Sequence, residues 1–148
     1  MIGDCAALPL DAGHPARLAE MATQPAGSAI ATNLGMPSMS YALNRNGLRE
    51  ELDEAASLTI IIPSEVAFGS MPDALYDSPE EMKKLIERHV LRERLDPQQL
   101  LGTHRSIAGS DITATADGGR LTLNGRATVL CGNIVTTNAT IYVIDSML

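Results

Sequence analysis

The chain has no tryptophan, one phenylalanine and three tyrosines in 148 residues, so its core must be built from Leu, Ile, Val, Met and Ala. No apolar run approaches the roughly 20 residues of a membrane helix, so no membrane insertion is expected. No cluster of Lys and Arg interrupts a chain with 18 acidic against 11 basic residues, a balance that lacks the footprint of a nucleic-acid binder. The opening residues, Met1-Ile2-Gly3-Asp4-Cys5, carry neither a charged nor an apolar leader segment. That start suits a cytosolic chain and equally a mature domain whose signal has been removed. Cysteine is nearly absent too. Cys5 and Cys131 stand at opposite ends, with no C-x-x-C spacing for zinc or redox work. An even count fits one disulfide in an oxidising compartment, or two unrelated buried thiols.

What is present reads as helices first and strands last. Short helical stretches are expected over Pro15–Ala22 and from Pro25, with Pro25 in the first helical position. After a stop at Leu34-Gly35, further ones follow over Pro37–Asn44 and Leu48–Ala56. Leu58-Thr59-Ile60-Ile61-Ile62, closed by Pro63, reads as a buried strand, and Ser64 can cap a short helix through Phe68. The clearest helix is expected over Ser78–Val90. Ser78 is its N-cap, Pro79 its first residue and Glu81 the partner in a capping box. Met82, Leu85, Ile86, His89 and Val90 fall on one face of it. From Thr103 the period drops to two. Asp117-Gly118-Gly119 and Asn124-Gly125 mark hairpins, and Ala127, Val129 and Cys131 are expected to share one strand face. This segregated order predicts α+β rather than a nucleotide-binding βαβ fold.

Three ordered stretches resemble the signature regions of fasciclin domains. Leu58 to Phe68 is similar to the family's strand ending in Ala-Pro-Thr or -Ser before an Ala-Phe helix. Leu85-Ile86-Glu87-Arg88-His89-Val90-Leu91 is similar to its Tyr-His motif. Gly132 to Asp145 resembles its closing strand. The nearest likeness is to mycobacterial secreted and lipoprotein antigens of that family, through Gly102-Thr103-His104-Arg105, Cys131-Gly132 and Gly3-Asp4-Cys5-Ala6. The resemblance implies a β-wedge of two small sheets with several helices packed on one side. It further implies an arm over residues 1–20, tethered by a Cys5–Cys131 disulfide to a domain over residues 21–148. A bridge closing so long a loop contributes roughly 4–5 kcal/mol in the chain-entropy account. Implied too are a place outside the cell, secreted or surface-anchored, and a non-catalytic role in adhesion or in contact with a protein or glycan partner, as a monomer and without cofactor. A carrier of a small apolar ligand, lipid or carotenoid-like, is the alternative, since some members of the family are carriers.

Two positions depart from the family pattern. Arg88 replaces the Tyr of the Tyr-His motif, so integrin-type recognition is not expected to carry over. Tyr142 replaces the His of the closing strand, as in the mycobacterial relatives. Ile86, His89 and Leu91 are the candidate partner-contacting residues, although His89 on an apolar helix face is more simply a hydrogen-bonded core histidine. His14 and His104 have no neighbouring metal ligands in sequence, and no Ser or Cys sits in a nucleophile elbow. Asp73, Asp77, Glu80 and Glu81 suit a solvated helix start rather than calcium. Met36, Met39 and Met71 could line a surface for an apolar ligand or simply fill the core. Asn138-Ala139-Thr140 is a formal glycosylation sequon, idle in a bacterial source. Thiol titration of the unreduced, denatured chain is expected to find no free thiol; two would exclude the bridge.

Overall fold

The computed structural model describes residues 2–3, 15–32 and 36–148. Four short helices come first: α1 (Pro15–Met21), α2 (Ala26–Ala31), α3 (Pro37–Arg45) and α4 (Leu48–Glu54). None is long enough to be stable alone, so packing and capping must hold them. Two carboxylates from neighbouring elements do this. Asp53 receives the Ser28 amide at 2.7 Å and its hydroxyl at 2.6 Å, in the first turn of α2. Glu65 receives the Ser38 amide at 2.9 Å and its hydroxyl at 2.7 Å, in the first turn of α3. Pro25 stands one residue before α2 in extended conformation instead of opening it. At Gly27 the two helices all but touch, since a Cβ there would lie 2.0 Å from the Arg49 carbonyl oxygen of α4.

The sheet is centred on two strands far apart in sequence. β2 (Leu58–Pro63) and β8 (Ala139–Ile144) run parallel, in register from Leu58 opposite Ala139 to Pro63 opposite Ile144. Every residue of both strands is buried, as expected of strands covered on both faces. Around them lie β3 (Val90–Leu91), β4 (Gly102–Arg105), β5 (Asp111–Asp117), β6 (Arg120–Leu123) and β7 (Ala127–Val135), in the order β3-β2-β8-β7-β6-β5-β4. A short β1 (Ile2–Gly3) pairs with β7, Gly3 opposite Cys131. Between β5 and β6, Gly118 and Gly119 take positive φ values of 58° and 84°, the geometry of a tight hairpin with right-handed twist. The Ile107 amide donates to the Val90 carbonyl at 2.9 Å, drawing the two outer edges together into a nearly closed wedge.

β7 belongs to both halves of the wedge. Its first residues pair with β6 and its remainder with β8, across register shifts on either side of Cys131. Those irregularities reset the alternation of side chains. Ala127 and Val129 therefore enter the core between the sheets, whereas Cys131 and Ile134 enter the core beneath the helices. The single face expected for Ala127, Val129 and Cys131 is thus divided between two cores. Ile60, Ile62, Ile141 and Val143 meet the helices, including α5 (Glu65–Gly69) and α7 (Pro79–Glu87), with the short α6 (Asp73–Asp77) between those two in sequence. Ile61, Tyr142 and Ile144 meet the second sheet, together with Leu100 of α8 (Pro97–Leu100).

Gly27→Ala is expected to cost about 2–3 kcal/mol through overpacking against Arg49. Gly69→Ala, where an added methyl meets nothing within 4 Å, is expected to be neutral or to stabilise by about 0.5 kcal/mol. Urea midpoints of the two variants against the parent test the pair.

Candidate functional site

The corner where α7 turns into β3 carries the candidate residues of the Tyr-His-like segment. α7 begins where expected, with the Ser78 hydroxyl accepting the Glu81 amide at 3.3 Å and Pro79 in its first turn. The reciprocal half of the capping box is not formed: the Ser78 amide donates to the Leu75 carbonyl at 3.4 Å and the Glu81 carboxylate pairs with Lys84. It ends at Glu87, short of the expected Val90. Val90 is instead a strand residue opposite Ile60, and the His89 carbonyl accepts the Ile61 amide at 2.8 Å. A β-branched residue with a free strand edge beside it gains more from the sheet than from another helical turn.

His89 is 1% exposed. Its Nδ1–H donates to the Leu85 carbonyl at 2.7 Å, and its Nε2 accepts the Leu148 amide at 3.2 Å. Both nitrogens are used, which fixes a neutral ring in one tautomer. Around it stand Met39, Ile61, Pro63, Phe68, Leu85 and Ile86, packed so closely that no water molecule fits among them. Burial pushes the imidazole pKa down to about 4, against the bond to Leu85 and with a further push from the Arg88 charge. An exposed imidazole titrates near 6.5. The difference stabilises whatever structure encloses the neutral ring. That stabilisation is complete above about pH 6.5 and is lost as pH falls toward 4, on the order of 3 kcal/mol in full.

Ile86 and Leu91 are buried as well, so none of the three candidate partner-contacting side chains faces solvent. The exposed positions at this corner are Arg88, Arg92, Glu93 and Arg94. Met36, Met39 and Met71 are core residues of the helix-side cluster. The His104 ring donates through Nε2 to the Leu100 carbonyl at 2.9 Å. His14 and Cys5 lie outside the described residues. Among the described residues, no three His, Cys, Asp or Glu side chains converge as metal ligands, and no helix is long and apolar enough to cross a membrane.

Two polar clusters escaped the sequence reading. Thr59, Thr140 and Tyr142 stand on the central strands and hold the loop after β3. Thr59 Oγ1 donates to the Glu93 carbonyl at 2.6 Å and accepts the Leu95 amide at 2.9 Å. The Leu95 carbonyl accepts both Thr140 Oγ1 at 2.9 Å and the Tyr142 hydroxyl at 2.8 Å. Burial raises the Tyr142 pKa well above the usual phenol value, with Asp96 adding to it, so the hydroxyl remains a donor. A threonine inside an otherwise apolar, doubly covered strand is the available signal, because such a hydroxyl must find a partner. The second cluster is Asn138. Its Oδ1 accepts the Ala26 amide at 2.9 Å, while Nδ2 donates to the Leu52 carbonyl at 2.8 Å and the Ala55 carbonyl at 2.9 Å. One side chain thus joins the start of α2, the end of α4 and the start of β8. The sequon is therefore a structural tie.

Among the described residues, few large apolar side chains are left on the outside. Val66 of α5 is 84% exposed and Tyr41 of α3 is 51% exposed, with the Arg45 guanidinium 5.1 Å from the Tyr41 ring centre. α5 is capped by the Ser64 hydroxyl and tied to α3 by Glu65.

A nearly closed wedge of two sheets, helices on one side and buried hydroxyls used within the fold, defines an α+β domain of one recognisable architecture. Residues 35–148 match the fasciclin domain, and the chain belongs to that family. It is 29% identical to the immunogenic protein MPB70 of Mycobacterium bovis, over 90% of this chain and 73% of that protein. It is also 29% identical to the cell surface glycolipoprotein MPB83 of Mycobacterium bovis, of whose length the match spans 64%. Among solved structures it resembles a FAS1 domain pair from the insect cell adhesion molecule Fasciclin I. The TM-score is 0.57 at 15% identity, over 76% of this chain and 44% of that one, a likeness of fold.

His89→Ala removes an acceptor, a donor and the filling of a closed space. It is expected to cost about 1–3 kcal/mol at pH 7. The gap to the parent should narrow as pH is lowered from about 6.5 toward 4, which denaturant melts at several pH values would show. An unchanged midpoint at pH 7 would contradict a structural histidine.

Proposed function

We propose that this chain is a non-catalytic extracellular fasciclin domain, secreted or anchored at the cell surface, that recognises a protein or glycan partner in adhesion or host contact. The observation that carries the reading is where its chemistry is used. His89, Thr59, Thr140, Tyr142 and Asn138 are polar side chains of the signature regions, and each of these five is hydrogen-bonded inside the fold. What remains for an outside molecule is surface on a rigid body. Among the described residues the most exposed large apolar group is Val66, on a helix capped by Ser64 and tied to α3 by Glu65. Membership of the fasciclin family and similarity to a cell surface glycolipoprotein support an extracellular setting. The tethered arm belongs to the same proposal. Gly3 lies opposite Cys131 in the β1–β7 pairing, two residues from Cys5, which favours a Cys5–Cys131 bridge.

The test is binding of the purified chain to immobilised extracellular-matrix proteins and polysaccharides, for the parent and for Val66→Asp with Tyr41→Ala. Saturable binding that weakens at least tenfold in the double variant, with an unchanged thermal midpoint, is the expected result. No saturable binding to any surface, together with a stoichiometric lipid or pigment in an organic extract, would replace this reading with a carrier.

A further inference from the structure

Beyond β8 the chain runs on through Ser146, Met147 and Leu148, held at two points. At the near end, the Asp145 amide donates to the Thr128 carbonyl at 3.1 Å and Asp145 Oδ1 accepts the Thr128 amide at 2.8 Å, a reciprocal tie to β7. At the far end, the Leu148 amide donates to His89 Nε2 at 3.2 Å. Between these points Met147 packs on the helix-side core and Leu148 on the core between the sheets. The far tie is unlike the near one, because its acceptor is the lone pair that a proton would take.

We infer that His89 is an acid-sensitive latch, whose protonation at Nε2 releases residues 146–148 while the rest of the domain stays folded. A proton on Nε2 turns the acceptor into a donor facing the Leu148 N–H, so the bond becomes a repulsion of two donors. Beyond the Leu85 carbonyl already bonded to Nδ1, the walls of the closed site offer the resulting cation no counter-charge. Its walls from α3, β2, α5 and α7 are Met39, Ile61, Pro63, Phe68, Leu85 and Ile86, all uncharged. The charged neighbour acting on the ring is Arg88, of the same sign as the new charge. Asp145, at the end of β8, is engaged with Thr128. Nδ1 is fixed on Leu85 from inside α7, so the ring can reach water through the segment that touches Nε2. Freeing residues 146–148 from these contacts exposes far less apolar surface than unfolding a sheet, so they yield first.

The enclosed ring takes up its proton near pH 4, while a freed one does so near pH 6.5. Linkage then makes opening roughly tenfold more favourable for each pH unit lowered between about 6 and 4. The experiment is amide-resolved hydrogen exchange of the full chain at pH 7, 6, 5 and 4, corrected for intrinsic rates. Protection of the Leu148 amide is expected to fall about tenfold per unit over that window, while Ile141 and Val143 of β8 keep theirs. In His89→Gln, whose side-chain carbonyl can accept the same amide without titrating, the steep fall should vanish. Flat protection of Leu148 in the parent, loss in step with Ile141, or the same steepness in His89→Gln would each overturn the latch. If the Gln variant does not fold, the parent's comparison of Leu148 with Ile141 decides alone.

Discussion

The fold rests on a parallel pairing between strands about eighty residues apart. β2 and β8 supply the centre of the sheet, and each core takes side chains from both of them. Parallel strands need a long connection, and here the connection is most of the domain: α5 to α8, the small second sheet and its hairpins. The polar ties sit where this pairing would otherwise be weakest. Asn138 fixes its start against two helices, and Thr59 with Thr140 and Tyr142 closes the loop over its outer face. Each hydroxyl lies where leaving it unpaired would cost more than the bond gains, so the strands accept one register only.

Much of this architecture could be read from residue types. Pro63, Pro79 and the Gly-rich turns punctuate the chain at the observed boundaries, because each residue there has a local conformational reason. The run Leu58–Ile62 reads as a strand because its β-branched residues permit little else. What escaped depends on non-local contact. Val90 leaves its helix for a strand edge that only the folded chain provides. β7 changes faces at bulges which no alternation of side chains announces. Asn138 reads as a sequon because its partners, Ala26, Leu52 and Ala55, are all more than eighty residues away. The apolar flank of His89 indicated a buried ring, yet its second partner lies at Leu148, beyond the reach of any local pattern.

The same division applies to function. The resemblance places three stretches together as signatures, and they do converge, with β2, the α7–β3 corner and β8 all touching. They converge to build the interior. The buried residues of those stretches hold the domain together, while exposed side chains stand on α3, α5 and the outer face of the second sheet.

The late position of β8 has a consequence for how the molecule comes into being. Residues 139–144 follow the other strands of the sheet in sequence, yet they form its middle. Until they arrive, β2 lacks its parallel neighbour and the four leading helices have only part of a floor to pack on. A nascent chain cannot complete either core piecemeal, and folding must wait for contacts of high sequence separation, which are slow to form. A sheet whose middle strand follows its flanks in sequence tolerates no loss on that side: a cut before residue 139 takes away the centre of the fold and leaves its edges with nothing to border.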